Sequence, residues 1–173
     1  MAKKKSKEKN GSEKSGHAHK TNAIRLVEAA GISYKMYTYD APDGFMDGLS
    51  VARTLGQDPE QVFKTLVTWS SNKEYFVCVI PVGEELDLKK AAKHFGVKKI
   101  EMIPSRDITK VTGYIKGGCS PIGMKKPFPT AIHISASDFD SIIVSGGRVG
   151  LQMELPVNAL LEMTAGSLAD LVN

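Results

Sequence analysis

The sequence predicts a mixed α/β fold of the α+β kind, with a largely antiparallel sheet and helices packed against it. Three observations carry this expectation. Paired apolar runs at 66–82 and 141–155 are spaced as hairpins. Helix and strand signals mix without the even β–α–β rhythm of a doubly wound sheet. At 173 residues, 42 % hydrophobic and 24 % charged, the chain can build one substantial core without a metal or disulfide staple.

The elements follow in order. Thr21 or Asn22 can cap a helix over 23–30, with Ile24 and Val27 on its apolar side and Gly31 at its exit. Tyr34 to Tyr39 alternates as a strand, and either tyrosine could line a pocket or simply pack. After a loop over 41–48, Ser50 opens a short helix that Gly56 stops. Asp58-Pro59 reads as a cap followed by a proline in the first turn, predicting a helix from Pro59 to about Phe63. The strand Leu66–Trp69, a turn at 70–74 and the strand Tyr75–Val82 form a hairpin, which puts Lys64 and Thr65 at a helix-to-strand corner. Asp87 caps a helix from Leu88 to Phe95 ended by Gly96, and a strand follows over 99–103. Ser105 or Asp107 opens one more short helix. Strands are expected over 130–135, 141–145 and 149–155, with Ser145-Gly146-Gly147-Arg148 as a tight turn, and the chain closes on helices over 157–163 and 167–171.

The charge of +4 divides unevenly. Residues 1–22 carry a net of +5 and the remaining 151 a net of −1. Residues 1–20 read as a basic, disordered tail and 21–173 as one domain. Such a tail could touch a nucleic acid backbone or serve as a solubilising leader. Cys78 lies in the apolar run YFVCVI and Cys119 follows two glycines; neither has metal-ligand spacing, and His17 and His19 lack a third ligand nearby. No metal or other cofactor is expected. No apolar stretch approaches the roughly 20 residues of a membrane span, and a reducing cytoplasm is the expected location.

The stretch VTGYIKGGCSPIGMKK, Val111 to Lys126, is the focus of the functional reading. Its glycines either make a mobile connection or let backbone N–H groups converge on one oxygen or phosphate. There is no GxGxxG, P-loop or HExxH. Cys119 could be a nucleophile with His133 as its base, or a small packing residue. Lys64 could hold a phosphate or orient a hydroxyl, or be a solvated surface lysine.

Four ordered segments carry a resemblance: TNAIRLVEAAGI at 21–32, VFKTLV at 62–67, TGYIKGGCSPIGMKK at 112–126 and SGGRVGLQMEL at 145–155. Through them the chain resembles the YbaK/EbsC family of bacterial aminoacyl-tRNA deacylases, of the Cys-tRNA(Pro) deacylase type and related to the editing domain of bacterial prolyl-tRNA synthetases. The resemblance spans about Thr21 to Leu171. It implies a partly open barrel with surrounding helices, and trans-editing removal of a wrong amino acid, typically cysteine, from tRNA for proline. It assigns activity to Lys64, with Thr65 beside it, and implies that Gly117 and Gly118 face the aminoacyl ester through their backbone. Ser145 matches the serine of the late segment. Tyr34, Thr65, Ser145 and Gln152 are the expected substrate contacts.

Gln152 stands where better-known relatives often carry aspartate, which bears on how a substrate ammonium is held. The family mechanism has the substrate's own thiol attack its ester, so the protein need not supply a nucleophile. The implied partners are the CCA end of a misacylated tRNA and, as a candidate, prolyl-tRNA synthetase. Two other readings compete: a tRNA 3′-end binding or regulatory module without chemistry, and a Cys119-dependent hydrolase.

Overall fold

The structure is a computed structural model that describes residues 20–42, 44 and 46–173. The tail, except for Lys20, lies outside the described residues.

Among the described residues, eight strands form two sheets. The smaller is antiparallel, in the order β1 (Lys35–Thr38), β7 (Leu151–Pro156), β6 (Ser141–Arg148). The larger is mixed, in the order β4 (Ile100–Met102), β2 (Phe63–Ser70), β3 (Tyr75–Pro81), β5 (Thr130–His133), β8 (Ser167–Ala169). In the larger sheet β2 runs antiparallel to β3 and β4, whereas β5 runs parallel to β3 and β8. The sheets meet where Val62 bridges Ile143 in parallel sense, with the Ile143 N–H donating to the Gln61 carbonyl at 3.0 Å.

β3 explains how the core is divided. Its alternate residues point to opposite faces, and both faces are covered. Val77 and Val79 enter one core with Ile24, Val27, Ile132, Val144 and Met153. Phe76, Cys78 and Ile80 enter a second core with Ala91, Ala92 and Leu171. A strand buried on both sides reads as an unbroken apolar run, which is what YFVCVI is. Helix α1 (Asn22–Ala29) supplies Ile24 and Val27 to the first core, and α3 (Leu88–Phe95) supplies Ala91 and Ala92 to the second.

Several helix ends follow their local signals. The Thr21 hydroxyl accepts the Ile24 N–H at 3.2 Å. Asp87 accepts the N–H groups of Lys89 and Lys90, both at 3.0 Å, and Gly96 closes α3 in the left-handed region. Ser105–Asp107 is a 3-10 turn leading into α4 (Ile108–Thr112).

Other expectations are corrected. Helix α2 (Gly48–Leu55) is capped by Asp47, not Ser50; Asp47 accepts both the amide and the hydroxyl of Ser50. Asp58-Pro59 makes only one turn, in which Asp58 accepts the N–H groups of Glu60 and Gln61. Val62 and Phe63 are then both buried, and adjacent buried residues suit a strand with both faces covered. Lys64 and Thr65 therefore lie within β2, not at a helix-to-strand corner.

Ser145–Arg148 is not a turn but a bulge in β6. The register passes from Ser145 opposite Gln152 to Arg148 opposite Leu151, leaving Gly146 and Gly147 over. The strand at 130 ends at His133 and continues as a 3-10 turn over Ile134–Asp138. After α5 (Val157–Thr164), residues 167–169 form β8 instead of a helix, because parallel pairing with β5 satisfies their backbone at the edge of the larger sheet.

Candidate functional site

The structure holds a cavity of about 470 Å³, within the range of roughly 300–1,000 Å³ usual for small-molecule sites. Its position follows from how β2 is paired. On the side away from β3, this strand meets β4 only over Thr68–Ser70, and the smaller sheet only at Val62. Between those attachments the edge of β2 has no neighbouring strand. The cavity fills that gap and is lined by every residue from Val62 to Val67.

Lys64 borders the cavity half-buried, and its ammonium forms no ion pair among the described residues. Thr65 borders it too, with its hydroxyl buried and without a hydrogen-bond partner among the described residues. An unpaired buried hydroxyl costs about 1–3 kcal/mol, so a ligand that met it would recover that loss.

The opposite wall comes from the glycine-rich loop and the end of the smaller sheet. Far from being a mobile connection, the loop is bonded through its length. Tyr114 donates its hydroxyl to the Ile122 carbonyl at 2.6 Å and its amide to Thr112 Oγ1 at 3.0 Å. Asn22 Nδ2 reaches the Gly123 carbonyl at 2.8 Å, and Lys125 N–H the Thr112 carbonyl at 3.1 Å. Ile115 to Gly118 is a tight turn in which the Gly118 N–H donates to the Ile115 carbonyl at 2.9 Å. Gly117 occupies its third position at φ 85°, the conformation for which glycine is selected in a type II turn.

This geometry corrects the expectation for the paired glycines. Gly117 borders the cavity, but the Gly118 amide is committed within the turn. Gly118 is needed for close approach: a Cβ there would lie 2.7 Å from Arg148 Cα. The loop thus seats on the bulge of β6. Cys119 also borders the cavity, and neither the Gly117 nor the Cys119 amide donates a hydrogen bond among the described residues. Among the loop residues that border the cavity, the amides of Lys116, Gly117 and Cys119 are the ones left without a bond among the described residues.

The Cys–His pair is not assembled. Burial pushes the Cys119 thiol up to about 11, against a smaller opposing effect from Thr112, so the thiol stays protonated near neutrality. His133 is outside the cavity lining, where its Nδ1 accepts the Leu171 N–H at 3.1 Å beside Asp170.

Ser145 and Gln152 both line the cavity. Ser145 Oγ accepts the Gly147 N–H at 3.2 Å, leaving its hydroxyl proton for another acceptor. Gln152 is buried and its Oε1 accepts from Gln57 Nε2 at 2.8 Å. Tyr34 is the misplaced expectation: it is not among the lining residues, and its hydroxyl donates to Glu28 at 2.6 Å. Burial, followed by that bond, raises its pKa to about 12. Tyr39 borders the cavity instead, its N–H tied to the Gly150 carbonyl at 3.0 Å.

Sequence reasoning also missed Lys116, Asp47, Ser105 and Met102 at the rim. Lys116 had a usable signal, a cation inside the glycine-rich turn; Asp47 was hidden because Ser50 was taken as the cap. Lys64 and Lys116 against Asp47 give the lining an excess of positive charge, suited to a phosphate. Among the described residues no three His, Cys, Asp or Glu side chains gather as a metal site, and no helix is long and apolar enough to cross a membrane.

Comparison with known proteins decides the family. The model of the aminoacyl-tRNA editing domain matches residues 47–163, which include β2, the glycine-rich loop and both strands that carry Ser145 and Gln152. The chain belongs to the aminoacyl-tRNA editing domain family. An Enterococcus faecalis relative with the provisional name Cys-tRNA(Pro)/Cys-tRNA(Cys) deacylase EbsC is 47 % identical over 152 residues, covering 88 % of this chain and 93 % of its own.

Two solved structures share the editing-domain fold. One, described provisionally as a trans-editing enzyme for prolyl tRNA synthetase, has a TM-score of 0.77 at 21 % identity, covering 90 % of this chain and 99 % of its own. The other, the hypothetical protein APE2540, has a TM-score of 0.79 at 20 % identity, covering 88 % and 99 %. At such identities these two bear on the fold alone.

Proposed function

We propose that this editing domain deacylates misacylated tRNA in trans, with cysteinyl-tRNA for proline as its first substrate. The observation that carries the reading is one cavity bordered on one wall by Lys64 and on the other by Gly117 and Cys119, whose amides are unbonded among the described residues. The name of the Enterococcus faecalis relative supports the substrate class.

In this mechanism the terminal adenosine enters the gap beside β2. Lys64 holds its phosphate or ribose as a charged positioner, and the Thr65 hydroxyl meets a polar group of the sugar or the amino acid. The substrate thiol attacks its own ester carbonyl. A carbon–sulfur bond forms, the carbon–oxygen ester bond breaks, and the thiol proton passes to the departing ribose oxygen, releasing a thiolactone. Intramolecular attack needs no protein nucleophile, in keeping with a Cys119 thiol that stays protonated. The amides of Gly117 and Cys119 stabilise the oxyanion, a role worth about 2.7–4 kcal/mol per donor in other enzymes. Ser145 and Gln152 face the amino-acid moiety. A neutral carboxamide accepts a hydrogen bond from a substrate ammonium but adds no opposing charge, so selectivity rests on cavity volume and the substrate thiol. Prolyl-tRNA synthetase is a candidate partner for recognition beyond the terminal nucleotides.

Incubation with tRNAs charged with cysteine, alanine and proline tests the reading. Release of cysteine or its thiolactone ahead of the others supports it; binding without release of any amino acid overturns it in favour of a non-catalytic module.

A further inference from the structure

The sequence has a single tryptophan, Trp69, five residues along β2 from Lys64. It borders a second hollow of about 310 Å³ with Ser70, Ser71, Lys73, Lys99 and Glu101. Its ring stacks on Tyr75, its partner across the hairpin, with centroids 6.2 Å apart and planes 27° apart. Tyr75 in turn meets Phe128 edge-on at 5.5 Å. The indole is thus held by an aromatic stack and still borders open space.

The cations around it are available. Lys73 is exposed in the hairpin turn. Lys99 pairs with Glu101 at 3.2 Å, but both side chains are more than half exposed, and such a pair contributes little and exchanges readily. A flat aromatic ring flanked by exposed cations is the combination that takes up unpaired nucleic acid: the ring stacks a base and the cations meet its phosphates.

The two hollows are bordered by successive residues of β4, an edge strand of the larger sheet. Met102, 44 % exposed, rims the first cavity, and its neighbour Glu101 rims the second. In register Met102 lies opposite Thr68 and Glu101 opposite Trp69. Thr65, which borders the first cavity, and Trp69 are four residues apart on one face of β2, so at about 3.4 Å per strand residue they are about 14 Å apart along the backbone, a span that a short run of unpaired nucleotides can bridge.

We infer that Trp69, Lys73 and Lys99 form a second RNA subsite, which stacks an unpaired base upstream of the terminal adenosine while the aminoacyl end occupies the first cavity. This subsite rests on the deacylase reading of the first cavity and extends it to the strand leading into that cavity.

The lone tryptophan makes the test direct, because its emission reports on its own stacking partner. The unaltered protein is titrated with the RNA tetranucleotide ACCA and, separately, with adenosine. The tetranucleotide should quench emission saturably and less strongly at high salt, whereas adenosine should leave it unchanged. In deacylation of Cys-tRNA, Trp69→Leu should raise KM about tenfold, within the range for losing one stacked base, with kcat retained. The double variant Lys73→Ala and Lys99→Ala, at exposed positions that leave the fold undisturbed, should raise KM and flatten its salt dependence. Deacylation by the unaltered protein with tryptophan emission indifferent to saturating ACCA, or with KM unmoved in the lysine variant, overturns the subsite alone. Absence of deacylation overturns the reading of the first cavity, and quenching by ACCA in that case supports the subsite on a non-catalytic domain.

Discussion

Ser145 on β6 stands directly across from Gln152 on β7, and both border the cavity. Gln152 is further anchored by the Gln57 amide at 2.8 Å, while Gln57 Oε1 is buried without a partner among the described residues. One side-chain hydrogen bond therefore joins Gln57 to Gln152. Gln152→Ala should lower stability by about 1–3 kcal/mol, since it strands the buried Gln57 amide. Urea unfolding measures this, and an unchanged midpoint would show that water or a rearranged side chain satisfies Gln57.

Lys64→Ala should slow deacylation of Cys-tRNA at least ~10-fold, taking a charged contact as about 1.5–3 kcal/mol. Cys119→Ala removes the thiol and keeps the amide, so its rate should stay near that of the parent. Single-turnover rates on both variants check this. A collapse in the second, with the fold intact, would restore the thiol as nucleophile.

Gly118→Ala probes the seating of the loop. The added methyl would lie 2.7 Å from Arg148 Cα, a backbone atom that cannot swing aside. Overpacking of this kind costs about 1–3 kcal/mol, and displacement of the loop would carry Gly117 and Cys119 with it. Loss of both melting temperature and activity is expected; a variant with parental activity would separate the loop's position from the chemistry.

His133 makes stability depend on pH. Burial is the largest cause holding its pKa below the ordinary value of about 6.5, with Asp170 and Glu84 opposing and Lys90 assisting. A histidine kept neutral by folding contributes its stability in full above the unfolded value. That contribution is lost as pH falls from about 6.5 through the folded value, because the unfolded chain then binds more protons. Protonation at Nδ1 would also remove the acceptor of the Leu171 N–H. Melting temperature should fall on acidification through this window, and His133→Gln should flatten the slope.

Signals that act within one turn of chain were legible in the sequence. Asp87 and Gly96 bounded α3 because a cap bonds amides two and three residues away. Asp58-Pro59 carried an equally clear local signal and misled, because burial of Val62 and Phe63 on two faces outweighed it. The same limit governs the site. Lys64, Thr65, Gly117, Ser145 and Gln152 do share one cavity. That Tyr39 and not Tyr34 joins them depends on the bond to Gly150, more than 100 residues along the chain. That the Gly118 amide is taken while the Gly117 and Cys119 amides stay unbonded among the described residues depends on a turn hydrogen bond that residue types alone do not specify.

The interrupted pairing of β2 has a cost that folded proteins normally avoid. Bare main chain along a strand recruits other strands, and exposed on a flat rim it would invite polymerisation. Here the gap is only about four residues long and recessed between a bulged hairpin and a glycine turn, too short and too deep for a second extended polypeptide to dock. Mutations that loosen Gly118 from Arg148 would widen that recess, and their first symptom would then be self-association in a protein whose secondary structure is still intact.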